Sequence, residues 1–281
     1  AVIPVVVLKG AALAFWLYPD PALRPMGDVD LLIYHDDLSR AQSSLATAGY
    51  TMDRVEPRPG FIRDFGGQLA LSRARPIGAE RIELHWHLAE APYYYCRLPS
   101  AWFWERAEAV RLGERAVRVL NPTALLLHLA VHLGLHHAGS PRLIWLYDVA
   151  LLIDKEGSRV DWEALLDAAR AFKVILPLQQ TLDGAIGLFG VSVPADVRDI
   201  LGSLRSGAAE SRLFVMLTWQ EPLRAFLVDV ATMSGWRRRL SFAWANLLPS
   251  TEYIRQRYGG NLWDAYWARL QRGLQGGWRE L

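Results

Sequence analysis

Asp28 and Asp30 stand one residue apart in "GDVDLLIY" (residues 27–34), and Glu83 stands between Ile82 and Leu84 in "RIELHWHL" (81–88). Residues i and i+2 of a strand project to the same face, so the two aspartates aim their carboxylates in one direction and Val29 points the other way. Like charges side by side oppose each other's ionisation. A divalent metal is the natural compensator, and hard oxygen donors favour Mg²⁺ or Mn²⁺. An Asp-x-Asp arises by chance in a chain with 16 aspartates, so context has to carry the reading. Gly27 precedes the pair, "LLIY" continues it as an apolar strand, and Glu83 joins it on the same face if the two strands are neighbours. Relief of the repulsion predicts that replacing either aspartate by asparagine leaves stability unchanged or raised.

Lys9 and Gly10 open a helical pattern after an apolar run. The chain has 28 arginines but only three lysines, Lys9, Lys155 and Lys173. A lysine in such a background marks a place where a compact ammonium serves and a guanidinium fork does not. A helix N-terminus at Gly10 with Lys9 beside it suits triphosphate oxygens. Together with metal ions on Asp28, Asp30 and Glu83, this suits phosphoryl or nucleotidyl transfer from an NTP. His85 and His87 alternate onto the face of Glu83. Both could bind metal or hydrogen-bond the acidic groups, or be ordinary strand-end imidazoles; the hydrogen bond is the reading favoured for His85, and little is expected of His87.

The elements that must position these residues alternate in type. Ile3–Leu8 reads as a buried strand, Ala11–Tyr18 as a short helix, and "YPDPALRPMG" with its three prolines as a loop. A strand at "DVDLLIY" precedes a helix with Asp36 or Asp37 near its start and Gly49 at its end. Strands follow at "QLALSR" and "RIELHWHL", then a hairpin at "AVRLGERAVRVL". Pro122 sits at the first position of the next helix. From there the pattern is helical, broken at residues 139–141, 157–158, 193–194 and 259–260. The expectation is an α+β chain: a mixed sheet with helices over residues 1–120, then an α-helical domain over 121–281.

Taken together, "LKG", "LYPDPALRPMGDVDLLI", "AGY", "IELHWHL", "LLLHLAVHLGLHH" and "RLIWLYDVALLI" resemble the uncharacterised nucleotidyltransferase family, part of the polymerase β-type nucleotidyltransferase superfamily. The resemblance implies a polymerase β-like catalytic domain with metal binding at Asp28 and Asp30, a metal ligand or base at Glu83, and phosphate binding at Gly10. It implies an NTP co-substrate and a small-molecule or peptide acceptor. Lys9-Gly10 stands where the superfamily has Gly-Ser, so a lysine contact replaces a serine one. Seventeen residues separate Gly10 from Asp28, a long gap filled by the Pro-rich loop, whose Arg24 is within reach of a phosphate. The alternatives are a catalytically silent binding protein on the same fold and an RNA-modifying enzyme.

His128, His132 and His136 share one face of a mostly apolar helix, which favours core or interdomain packing over an acceptor pocket; Asp148 on the following helix is placed to orient one of them. Residues 235–272 mix Arg with Trp and Tyr. Packing of Trp263, Tyr266, Trp267 and Leu270 is the simpler reading there, with a membrane surface or RNA as alternatives. A net charge of +2 does not call for nucleic acid. No apolar run is long enough to span a bilayer, and a lone Cys96 excludes an internal disulfide. A cytoplasmic location is expected, as is further sequence before Ala1, since the chain opens inside a strand pattern.

Overall fold

The computed structural model of the chain describes residues 2–136, 142–204, 211–212, 214–216, 222–259 and 261–274. Seven strands form one sheet in the order β3-β4-β5-β2-β1-β7-β6. They are β1 (Val6–Val7), β2 (Val29–Leu32), β3 (Thr51–Met52), β4 (Gln68–Ala74), β5 (Ala79–His85), β6 (Ala107–Leu112) and β7 (Arg115–Leu120). β2 runs parallel to β5 and antiparallel to β1, and β1 runs parallel to β7, so the sheet is mixed. β1 is shorter than the apolar run predicts, because Pro4 lacks the N–H that a ladder needs.

Alternation along β2 and β5 divides the sheet faces. Leu31 and Leu84 pack with Leu38 and Ala41 of α2 (Leu38–Thr47) in a small cluster on one side. Leu32 joins the main core on the other side, together with Leu13 and Leu17 of α1 (Lys9–Trp16). The short helices α3 (Phe61–Phe65), α4 (Pro92–Tyr95) and α5 (Ser100–Glu105) connect the strands.

Past the sheet, Asn121 accepts a hydrogen bond from the Ala124 N–H at 3.0 Å, and Pro122 opens α6 (Pro122–Val131), a helix buried along its whole length. Its last turn widens into a π-helix over His132–His136. Gly134 lets that turn lie against the helix that holds Pro177, since a Cβ there would meet Pro177 at 2.6 Å. Then come α7 (Leu143–Glu156), α8 (Trp162–Ala171), α9 (Ile175–Phe189), α10 (Ala195–Ser203) and four further helices, Pro222–Thr232, Trp236–Leu247, Thr251–Tyr258 and Leu262–Leu274. Of the expected breaks, residues 139–141 and Gly260 lie outside the described residues. Element type changes at residue 120, yet the core does not: Leu13, Phe103, Leu126, Val149 and Leu178 belong to one cluster. Among the described residues, no helix is long and apolar enough to cross a membrane.

The Pro-rich loop is tied to α7. Arg24 donates from Nε and Nη2 to Asp148, the Nη2–Oδ2 distance being 2.8 Å, and Tyr18 donates its hydroxyl to Asp148 at 2.7 Å. Burial pushes the Asp148 carboxyl pKa up although Arg24 pulls it down. Lys155, also on α7, donates to the Leu17 carbonyl at the C-terminus of α1, where a cation is favoured. Asp148→Ala leaves the Arg24 guanidinium buried without its carboxylate. We expect a loss of about 3–5 kcal/mol in chemical denaturation, with most of it recovered when Arg24→Met is added; a single variant as stable as the parent contradicts this account.

Candidate metal centre and substrate cleft

The parallel β2–β5 register pairs Asp30 with Glu83 and Leu32 with His85. Because the parity matches, Asp30, Glu83 and His85 emerge on the same face, toward α1. One ligand atom from each of the three lies within 4.8 Å of the others, and all three residues are buried. His85 Nε2 is 2.7 Å from Asp30 Oδ1 and 3.7 Å from Glu83 Oε2. Lys9 donates from Nζ to the same Asp30 Oδ1 at 2.8 Å. Arg81 pairs with Glu83 Oε1 at 2.9 Å.

The two carboxyls are driven apart in acidity. Burial works to raise the Asp30 pKa, but the His85 hydrogen bond and the Lys9 charge outweigh it and hold Asp30 well below the usual carboxylate range. Glu83 is raised, first by burial and then by the nearby Asp30 charge. Clustered buried carboxyls of this kind are relieved by a cation. The donor set, two hard carboxylate groups and one imidazole, fits a divalent ion.

Asp28 sits one residue ahead of β2, half-buried, and lines the same cleft. It stands outside the tight group, near enough that its charge opposes ionisation of Glu83. Among the described residues it has no hydrogen-bond or ion-pair partner. His85 hydrogen-bonds Asp30, as expected of it, and is also one of the three clustered groups.

α1 begins at Lys9 rather than after Gly10, and Leu8 at its N-cap supplies no side-chain bond. Lys9 adopts φ 43°, a left-handed conformation uncommon outside glycine. Gly10 is buried on the cleft wall. The expected phosphate contact of Arg24 is corrected: its Nε and Nη2 are engaged by Asp148 and its Nη1 by the Pro25 carbonyl at 2.7 Å. The guanidinium fastens the loop that carries Gly27 and Asp28. Asp148, taken up by Arg24 and Tyr18, orients none of His128, His132 and His136.

The cleft measures about 980 Å³. One wall was not legible in the sequence, since Phe226, Phe242, Asn246, Tyr253 and Arg257 reach it from helices far along the chain. Phe242 stacks on Phe61 at 5.7 Å and on Phe226 at 5.8 Å. Arg54, Arg142 and Arg257 line the cleft with no carboxylate or hydrogen-bond partner among the described residues. His132 and His136 line it too, their rings 5.2 Å apart, whereas His128 turns into the core against Phe103. No spacing rule joins positions 54, 142 and 257; only the fold does.

A mixed sheet with acidic groups on adjacent inner strands beside a helix N-terminus is the arrangement of a nucleotidyltransferase-type protein. The chain belongs to the family described as "Uncharacterised nucleotidyltransferase", which matches residues 1–190. No curated protein matches it. A crystal structure of an antigenic nucleotidyltransferase-like protein from Paracoccidioides brasiliensis is similar over 75% of this chain and 89% of that chain, with 14% identity and a TM-score of 0.39.

The two aspartates differ in what they support, which revises the expectation that either can be neutralised freely. Asp28→Asn should leave stability within about 0.5 kcal/mol of the parent. Asp30→Asn should cost about 1–3 kcal/mol, because the Lys9 ammonium and His85 lose their ionic acceptor. Equal melting curves for the two variants would show that the Lys9–Asp30 pair contributes nothing.

Proposed function

We propose that the protein transfers an NMP group from an NTP to a hydroxyl or other nucleophile of a small-molecule or peptide acceptor, with release of pyrophosphate. The observation that carries this reading is the Asp30–Glu83 register beside the uncapped N-terminus of α1. Asp28, Asp30 and Glu83 would hold Mg²⁺ or Mn²⁺, with His85 fixing Asp30 or ligating directly. Such an ion supplies charge neutralisation at the α-phosphate.

The chain's own groups account for the rest. The first-turn N–H groups at Lys9 and Gly10 face anions, and the helix dipole favours negative charge there. Arg54, Arg142 and Arg257, which have no carboxylate partner among the described residues, supply cationic charge around the same cleft, which suits a triphosphate and the departing pyrophosphate. The acceptor oxygen bonds to the α-phosphorus while the bond to the bridging α–β oxygen breaks. Where Glu83 is not a ligand of the ion, it takes the acceptor's proton.

One observation favours a second reading. Lys9 already compensates Asp30 at 2.8 Å, as it would in a silent binding protein that needs no ion. Titration calorimetry separates the two. We expect ATP, or another NTP that fits, to bind only with Mn²⁺ present, and Glu83→Gln to weaken Mn²⁺ by about 10–100-fold. Lys9→Met should tighten Mn²⁺ while weakening the nucleotide. Nucleotide heats that are identical with and without Mn²⁺ would establish the silent protein.

A further inference from the structure

The helix Trp236–Leu247 is amphipathic in an unusual sense. Its inward face carries Phe242 and Ala245, both buried, and Phe242 and Asn246 line the cleft. Its outward face is apolar as well. Trp236, Leu240, Trp244 and Leu247 follow the i, i+4, i+8, i+11 spacing of one helical stripe, and they are 66%, 61%, 56% and 47% exposed. Leu248 extends the stripe beyond the helix end and is exposed too. Large contiguous apolar surface of this kind marks an interaction site.

Charge says what it meets. The helix carries Arg237, Arg238 and Arg239 and no acidic residue. Arg238 is used internally, donating to the Asp64 carbonyl at 2.8 Å. Arg237 and Arg239 are exposed beside the stripe, although Arg239 also donates from Nε to the Met233 carbonyl at 2.7 Å, and the Arg237 guanidinium lies over the Trp236 ring at 5.4 Å. Arg58 lies over Trp244 at 5.6 Å. The helix Leu262–Leu274, packed mainly on Thr251–Tyr258, reaches the helix Trp236–Leu247 through Arg269, which donates to the Asn246 carbonyl; its Tyr266 donates to the Pro249 carbonyl at 2.9 Å, and it likewise turns Trp263 and Trp267 to solvent.

We propose that this outward face is a docking surface for an anionic lipid bilayer, on which the helix lies flat. Indole rings settle at the headgroup level, leucines reach the acyl boundary, and arginines meet lipid phosphates. Single-stranded nucleic acid would use the rings and the arginines but gains nothing from Leu240, Leu247 and Leu248. A second copy in a two-fold contact would bring together two such helices, each with arginines and no acidic residue to meet them. The docking does not depend on the nucleotide-transfer reading. Its consequence is that the cleft wall made by Phe242 and Asn246 sits on the same short helix as the membrane contact.

Vesicle sedimentation of the full chain tests it. We expect the protein to pellet with phosphatidylcholine vesicles containing phosphatidylglycerol and to stay in solution with phosphatidylcholine alone. Added salt should weaken the binding. Trp236→Ser with Trp244→Ser should reduce it by at least on the order of 10-fold, and Arg237→Gln with Arg239→Gln should reduce it severalfold, with circular dichroism showing both variants folded. Should the tryptophan variant fail to fold, Leu240→Asp serves in its place. The proposal is overturned if the parent does not pellet with the anionic vesicles, or if folded stripe variants pellet as the parent does. It is equally overturned if the parent is retained on single-stranded RNA but not on vesicles, or is a dimer by light scattering that Leu240→Asp splits.

Discussion

Asp30 is an ionised carboxylate held near the middle of a sheet, and most of the structure around it follows from the need to keep it charged. Burial alone would drive it neutral. His85, on the neighbouring strand β5 two residues beyond the register partner of Asp30, and Lys9, at the first position of α1, both meet its Oδ1. The backbone takes part as well, since the Leu8 N–H donates to the Asp30 carbonyl at 2.9 Å and joins the end of β1 to β2. Holding Lys9 there puts its backbone in the left-handed region, a conformation that persists where the surroundings over-determine it. Here they do: β1 ends just before it, and Gly10, Ala11, Ala12 and Leu13 just after it are buried.

A single register error would dismantle the site. Sliding β5 by one residue against β2 would turn Glu83 and His85 into the α2 cluster and Leu84 into the cleft. The apolar neighbours forbid it, because Leu31, Ile82 and Leu84 must stay on the α2 side with Leu71 and Trp86. The acidic group is therefore positioned by hydrophobic residues that never touch it.

This explains how much could be read from the chain before the fold was known. Alternation around "DVDLLIY" and "RIELHWHL" is a local signal, and with it came both strands, the shared face of Asp30 and Glu83, and the helix that follows Lys9. The family resemblance was readable from the same segments. Long-range ties were not. Arg24 lies in a loop whose sequence says only that it turns, and its partner Asp148 is 124 positions away; an arginine near a candidate phosphate site looks the same whether or not a buried carboxylate claims it. The exposed Trp263 and Trp267 show a related failure, since helical spacing gives a stripe but not the side on which a neighbour lies. The histidine face split because the π-turn begins at His132, a change of pitch that spacing on an ideal helix does not foresee.

In the proposed reaction, cation exchange at Asp30 would link the site's two expected ligands. Lys9 and an ion held by Asp30, Glu83 and His85 would share one carboxylate, so such an ion would weaken the hold of Asp30 on the ammonium. Lys9 sits at the N-terminus of α1, beside Gly10 and a first turn that Leu8 does not cap with its side chain, so a released ammonium would already be next to the place where anionic oxygens are favoured. A polyphosphate there would in turn stabilise Lys9 away from Asp30 and leave the carboxylate to the ion. In the proposed reaction, metal and nucleotide would thus assist each other's binding through one side chain, and by linkage the assistance is equal in both directions. A serine at Lys9, with no charge to transfer, would leave Asp30 short of a counter-ion without metal and would supply no such coupling.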